Sequence, residues 1–405
     1  MFSRRLALVV GLAALLAAAQ ASAADKKYGP GVTDTEIKLG QTMPYSGPAS
    51  AYGTQGKTEA AYIKMINEQG GVNGRKIDLI SLDDGYSPPK TLEQTRKLVE
   101  EENVLADFNA LGTPTNSAIQ KYLAAKKVPH LLVSTGASKW NDPAHFPLTT
   151  PFYPSYAMEA QILAKYLLKS KPDAKIAVLY QNDDFGKDYV RGFKEGLGDK
   201  AASMIVKEVT YETTDPTIDS QIVTLQASGA DTFFDVTIPK FAAQAIRKTY
   251  DIGWKPLHLL ASVASSIGAT LQPAGLDKSV GLITAVAWKT PGDPTWNDDK
   301  AMQDYLAFLK KWYPEANPAD AGNAVGYTAA QIMVMILQHC GSDLTRENLM
   351  KQATNLKDVE LPLLLPGIKV SYSPTNYAGF HQLRTQRFDG KRWVLFGDVI
   401  SVASN

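Results

Sequence analysis

The stretch EIKLGQTMPYSGPASAYGTQ, residues 36–55, continues through AAYIKMINEQGGVNGRKIDLISLDD, residues 60–84, and decides the fold class. Glu36 to Gln41 is a short strand pattern with Ile37 and Leu39 on one face. Ser46-Gly47-Pro48 breaks it. From Thr54 onward Ala60, Ala61, Ile63, Met65 and Ile66 recur at helical spacing until Gly70-Gly71 stops the helix. Ile77 to Leu82 is a second strand. The unit is βαβ. Parallel sheets built from such units take small molecules at the carboxyl ends of their strands, here Pro44 to Tyr52.

The same alternation runs along the chain. Strands are expected at Val104 to Asn109, Val128 to Ser134, Lys175 to Tyr180, 204–211, Thr232 to Val236 and Pro256 to Leu260. Helices are expected at Asn116 to Lys126, Tyr156 to Leu168, after the loop Gln181 to Phe185 through Lys194, Ile218 to Ala227 and Phe241 to Tyr250. This is an α/β chain with parallel sheets. Some 380 mature residues exceed what one core normally supports, so two lobes are expected. Ser279 to Trp288, Leu361 to Tyr372 and Arg392 to Ile400 read as further strands. Ala301 to Trp312, Ala324 to Gln338 and Arg346 to Ala353 read as helices. The economical arrangement is two Rossmann-like lobes joined by a three-segment hinge. Lobe 1 then holds 30–148 plus 286–362, and lobe 2 holds 149–285 plus 363–405. Ligand pockets favour such an interface.

Residues 1–23 carry Arg4-Arg5, the apolar run Leu6 to Ala19, and Ala21-Ser22-Ala23. A basic start, a short apolar run and a small-residue cleavage site are an export signal. Ser3-Arg4-Arg5 also fits the start of a twin-arginine signal, although two arginines in an ordinary leader are the commoner pattern. No cysteine follows the apolar run to take a lipid anchor, so a soluble periplasmic chain is expected. With 42 basic and 41 acidic residues there is no charge imbalance to draw it to nucleic acid. The only cysteine, Cys340, lies in an apolar helix pattern, so the chain has no internal disulfide and Cys340 reads as a small buried hydrophobe.

At this point the sequence resembles the solute-binding proteins of branched-chain amino acid ABC transporters, the leucine/isoleucine/valine-binding family with the type I periplasmic fold. The carriers of the resemblance are IKLGQTMPYSGPASAYG, INEQGGVNGRKIDLISLDDGYSPPKT, VLYQNDDFGKDYVRGF and Gly322 to Ala330 on the late helix, in that order over nearly the whole mature chain. It implies capture of a solute outside the cytoplasm and delivery to an inner-membrane permease, with no cofactor and no metal. A monomer is expected.

The residues around the expected crevice can be read alongside. Gly112 to Thr115 precedes a helix, and Thr113 or Thr115 can cap it. Free amides at a helix start plus a hydroxyl form a cradle for a carboxylate. Ala137 and Ser138 occupy the matching loop after the next strand. The resemblance implies that these two loops hold a ligand carboxylate, that Tyr52 is an aromatic lid, and that Phe185 is the second lobe's aromatic. Phe185 can equally pack on the helix that follows it. Thr237, Ile238 and Pro239 fill a third position of the second lobe, and Val263 lies in the loop Ala261 to Ser266.

That loop departs from the family, whose amino acid binders carry there an acid that holds the ligand's ammonium. Here it reads ASVASS, without an acid. A buried ammonium lacking a counter-charge is costly. The expectation is therefore a carboxylate with an aromatic or other apolar body, as in family members that take up aromatic acids; a branched-chain or other amino acid is the alternative, Asp183 or Asp235 then supplying the charge. A ligand sensor of the same fold is a further reading. For an enzyme, the five histidines are scattered without metal spacing, and no nucleophile elbow or phosphate loop is present. Asp83-Asp84 and Asp183-Asp184 read as turn carboxylates.

Overall fold

A computed structural model describes residues 26–401. The expected export signal lies outside the described residues. Two sheets organise the fold. The first contains β2 (Glu36–Met43), β3 (Lys76–Asp83), β4 (Ala106–Phe108), β5 (His130–Val133) and β6 (Thr149–Pro151) in the order β3-β2-β4-β5-β6, all parallel. A two-residue strand, β1 (Lys27–Tyr28), lies outside it and pairs with β12 (Asp343–Leu344). The second sheet contains β7 (Ile176–Gln181), β8 (Ile205–Tyr211), β9 (Thr232–Val236), β10 (Leu257–Leu260), β11 (Ile283–Val286), β13 (Gln382–Phe388) and β14 (Trp393–Ser401), ordered β14-β13-β11-β10-β9-β7-β8. Its last two strands run antiparallel.

Ten helices of eight residues or more are described: α1 (Gly53–Glu68), α2 (Pro88–Arg96), α3 (Thr113–Ala125), α4 (Tyr156–Ser170), α5 (Asp184–Leu197), α6 (Asp219–Ala227), α7 (Pro239–Asp251), α8 (Lys300–Trp312), α9 (Ala321–Cys340) and α10 (Arg346–Ala353). The central strands β4, β5 and β9 are buried at every position, as parallel strands covered on both faces must be. α9 comes back from the second sheet to pack along α1. The backbones approach closely because position 326 is glycine: a Cβ there would lie 2.5 Å from the Gln55 carbonyl oxygen. This contact fixes Gln55. None of the described helices is long and apolar enough to cross a membrane.

Three segments pass between the sheets and touch one another. The Lys289 amide donates to the Leu363 carbonyl at 2.8 Å and the Leu365 amide to Ala287 at 2.8 Å. The Tyr372 hydroxyl donates to the Pro151 carbonyl at 2.7 Å. Trp288 packs against Phe152, Tyr153 and Phe380.

One expectation needs correction. Leu361 to Tyr372 is not a strand; its apolar residues cover the crossings through isolated bridges at Leu364 and Val370. The strand that pairs with β14 is β13, which sequence reading missed. Helix α2 was also missed, although Ser87-Pro88-Pro89 is a standard helix start.

Candidate functional site

Where the carboxyl ends of the two sheets meet, a cavity of about 20 Å³ is lined by Tyr52, Tyr86, Leu111, Gly112, Thr113, Ser134, Tyr153, Tyr156, Phe185, Ile238 and Val263. The first sheet's loops supply Tyr52 to Ser134, the first crossing supplies Tyr153, and Tyr156 opens α4. Phe185, Ile238 and Val263 come from the second sheet's loops. Five of the eleven lining residues are aromatic. None carries an ordinary charge.

Tyr52 ends the turn Ser50–Tyr52 before α1. Its hydroxyl donates to the Val263 carbonyl at 3.0 Å. Tyr52 and Val263 thus latch a loop of the first sheet to a loop of the second. Glycine at 112 starts α3 with φ 104°, a conformation open to glycine alone. A Cβ at 112 would lie 2.5 Å from Tyr86 Cε2 and 2.6 Å from Thr115 Oγ1. Tyr86 itself has φ 59° and is tied down by Asp84, which accepts its amide at 2.9 Å.

The hydroxyls form a connected set. Thr113 Oγ1 and Thr135 Oγ1 lie 2.7 Å apart. The Tyr156 hydroxyl is turned toward both. Ser134 Oγ donates to Gln55 Oε1 at 3.2 Å, and Gln55 Nε2 donates to the Tyr153 hydroxyl at 2.9 Å. Because Tyr153 accepts from Gln55, its own proton is available to the cavity. Burial raises the pKa of Tyr52, Tyr86, Tyr153 and Tyr156, so all four phenols remain protonated donors at neutral pH. The start of α3 adds the positive end of a helix dipole and first-turn amides that have no partner within the helix.

The structure brings six of the ten expected residues to the cavity: Tyr52, Gly112, Thr113, Phe185, Ile238 and Val263. Four lie elsewhere. Thr115 neither caps α3 nor faces the cavity; it bonds back to the Leu111 and Gly112 carbonyls. Thr113 does not cap α3 either, since the capping position belongs to Gly112. Ala137 is buried one residue before the turn Ser138–Trp140. Ser138 Oγ donates to Asp188 at 3.0 Å and meets Ser155 and Arg191, an ionic cluster on α5 that holds it away from the crevice. Thr237 donates to Asp235 at 2.6 Å. Phe185 does both things open to it, lining the cavity and stacking edge-on against Tyr156 and Tyr189.

The two acids considered as substitutes are occupied. Asp183 caps α5, accepting the Phe185 amide at 2.9 Å, and also accepts Gln181 at 2.6 Å. Asp235 accepts Thr237 and His258. Another acid, missed from sequence, stands close by. Glu159 on α4 accepts the Ser262 amide at 2.7 Å, the Ser262 hydroxyl at 2.5 Å and the Tyr189 hydroxyl at 2.8 Å. It thereby fixes the turn Ser262–Ala264 that presents the Val263 carbonyl to Tyr52. Burial outweighs these three bonds and raises its pKa to about 7. Tyr86, Ser134, Tyr153 and Tyr156 were also missed; tyrosines near prolines carry no signal that separates a pocket wall from a core. Among the described residues no group of His, Cys, Asp and Glu could hold a metal.

The sequence profile of the periplasmic binding proteins matches residues 36–392. A Leu/Ile/Val-binding protein homolog 7 of Brucella suis is 22% identical, covering 98% of this chain and 97% of its own. A branched-chain amino acid ABC transporter protein from Thermus thermophilus, solved with bound valine, superposes with a TM-score of 0.81 at 18% identity, covering 92% of this chain and 98% of that one. A fatty acid ABC transporter substrate-binding protein from Thermomonospora curvata gives 0.76 at 25% identity, with 93% and 95% covered.

Proposed function

The chain belongs to the periplasmic binding proteins of the leucine/isoleucine/valine-binding kind, with the type I fold, and we propose that it captures a small aromatic or other apolar carboxylate between two lobes and delivers it to an ABC permease. In this reading it is an exported, soluble, monomeric carrier in the periplasm and acts by binding, not catalysis. Residues 30–148 plus 286–362 move as one lobe and 149–285 plus 363–405 as the other, about the three crossings. The observation that carries the ligand class is the cavity wall. It offers aromatic faces for a ring, hydroxyl donors and a helix start for a carboxylate, and no acid for an ammonium.

One observation favours a second reading, an amino acid ligand. The carboxylate of Glu159 is bonded to Ser262, the residue next to Val263 of the wall, with no cation among its partners. An ammonium placed near that turn would meet negative potential. The names of the relatives point the same way.

Thermal-shift screening of the mature protein against aromatic acids, short fatty acids and amino acids tests the reading, because a solute at 100 times its Kd raises apparent stability by roughly 2.7 kcal/mol. Stabilisation by apolar carboxylates is expected, and it should be lost in Thr113→Val. Stabilisation by leucine or valine alone contradicts the ligand class, and no response to any solute contradicts the function.

A further inference from the structure

The first sheet buries an acid beside a histidine, and both are tied to the cavity wall. Asp107 of β4 and His130 of β5 pair across the sheet, and each is 1% exposed. Neither carboxyl oxygen of Asp107 has a hydrogen-bond partner, and neither does His130 Nδ1. Buried polar groups in this state are costly and uncommon. His130 Nε2 lies 2.7 Å from Asn116 Oδ1 and 3.6 Å from Asp107 Oδ1. The Asn116 side-chain nitrogen donates to the Ala110 carbonyl at 2.8 Å and to the Gly112 carbonyl at 2.7 Å. Its oxygen must therefore accept, and His130 Nε2 carries the proton. A bonded chain thus runs from His130 through Asn116 to Gly112 of the cavity wall. Asp84 approaches from the loop after β3. It accepts the Tyr86 amide at 2.9 Å and the Thr91 hydroxyl of α2 at 2.8 Å, and its charge acts on Asp107. Its neighbour Asp83 is paired with Lys90 of α2 at 2.9 Å. Among the described residues no lysine or arginine pairs with Asp107. Burial, with Asp84 adding to it, lifts Asp107 to about 8, and burial lowers His130 to about 3. At neutral pH Asp107 holds its proton and the pair is uncharged.

We propose that this protein takes up its solute carboxylate together with a proton, which the Asp107–His130 pair holds. The inference rests on the carboxylate reading given above. A carboxylate seated at the start of α3 brings a negative charge to residues bonded to the pair. A second negative charge on Asp107 is then disfavoured, so the carboxyl keeps its proton to higher pH. The complex binds more protons than the free protein, the difference coming from the buffer. Solute affinity is therefore level well below pH 8 and falls as pH rises through about 8. The bonded chain acts in the same direction. An ionised Asp107 draws the His130 Nε2 proton from Asn116, the residue that holds the Gly112 carbonyl.

Calorimetry of the mature protein with benzoate at pH 8, in buffers of different ionisation enthalpy, counts the protons taken up. About 0.3–0.5 proton per solute is expected, and affinity should fall about threefold or more from pH 7 to pH 9. Asp107→Asn should abolish the uptake and flatten the pH profile. Uptake that persists in Asp107→Asn, or that vanishes instead in Glu59→Gln, overturns the assignment. Carbon-13 NMR of the aspartate carboxyls in the unsubstituted protein keeps the test open if Asp107→Asn does not fold. The Asp107 signal should titrate near pH 8 without benzoate and higher with it; a midpoint below pH 5, or equal midpoints, overturns the proposal. Benzoate binding without proton uptake overturns the coupling and leaves the solute reading standing. No binding of any carboxylate overturns that reading, and this proposal with it.

Discussion

Tyr52 ends the turn before α1, and its hydroxyl reaches across to the Val263 carbonyl. Tyr52→Phe keeps the ring and removes the donor. Solute affinity should fall about 3–10-fold, the size of one hydrogen bond of about 1 kcal/mol, with the melting temperature unchanged. Equal affinity in calorimetry would show that the latch contributes nothing to capture. Buried acids make a second prediction. Burial lifts Glu59 and Asp107 to about 8 and Glu159 to about 7, from ordinary values of 4.5, 3.8 and 4.5. Each holds its proton more tightly folded than unfolded. The native state therefore binds more protons between those values, and stability falls as pH rises from about 4.5 to about 8. His130 acts on the other side: burial lowers it from 6.5 to about 3, so stability also falls as pH drops through that window. Both carboxyl oxygens of Asp107 lack hydrogen-bond partners, which makes it the acid to replace. Asp107→Asn should flatten the decline in urea midpoint between pH 5 and pH 8. An unchanged slope would mean that Asp107 titrates normally.

At the scale of elements, α3 carries the most function for its length. Gly112 sets its start and leaves room for the Tyr86 ring. Gly112→Ala should lower stability by about 1–3 kcal/mol, the usual cost of a side chain in a glycine-only conformation, and weaken solute binding at least tenfold as Tyr86 is displaced. Urea titration and calorimetry read the two effects, and wild-type affinity in the variant would contradict the placement of Tyr86. Much of the element map was legible because βα alternation, glycine stops and an Asp cap are local signals: α1 ends before Gly70-Gly71, and Asp183 opens α5. What escaped depended on distant partners. Leu361 to Tyr372 has strand-like apolar content but is used to cover the hinge, and β13 exists because β11 and β14 flank it. Thr115 and Ser138 have the chemistry of ligand contacts, yet the Leu111 carbonyl and Asp188 claim them. Glu159 sits mid-pattern in an amphipathic helix, and nothing in its neighbours' identities reveals that Ser262 and Tyr189 converge on it.

For the whole molecule, two sheets are joined by three mutually bonded crossings with a cavity between loops of both, and the proposed function requires this arrangement to act as a hinge that closes on the ligand. Small-angle scattering should give a smaller radius of gyration with a saturating solute than without, and identical curves for a proven solute would rule out closure as the signal to the permease. In the proposed function the cavity selects a carboxylate without an ammonium. Calorimetric titration of the mature protein with benzoate, a hydroxycinnamate, leucine and valine reads this selectivity. An aromatic acid should bind at least about tenfold more tightly than either amino acid, a gap of roughly 1.4 kcal/mol. Micromolar binding of leucine with no heat from either aromatic acid would contradict it and make Glu159 the counter-charge for an amino acid.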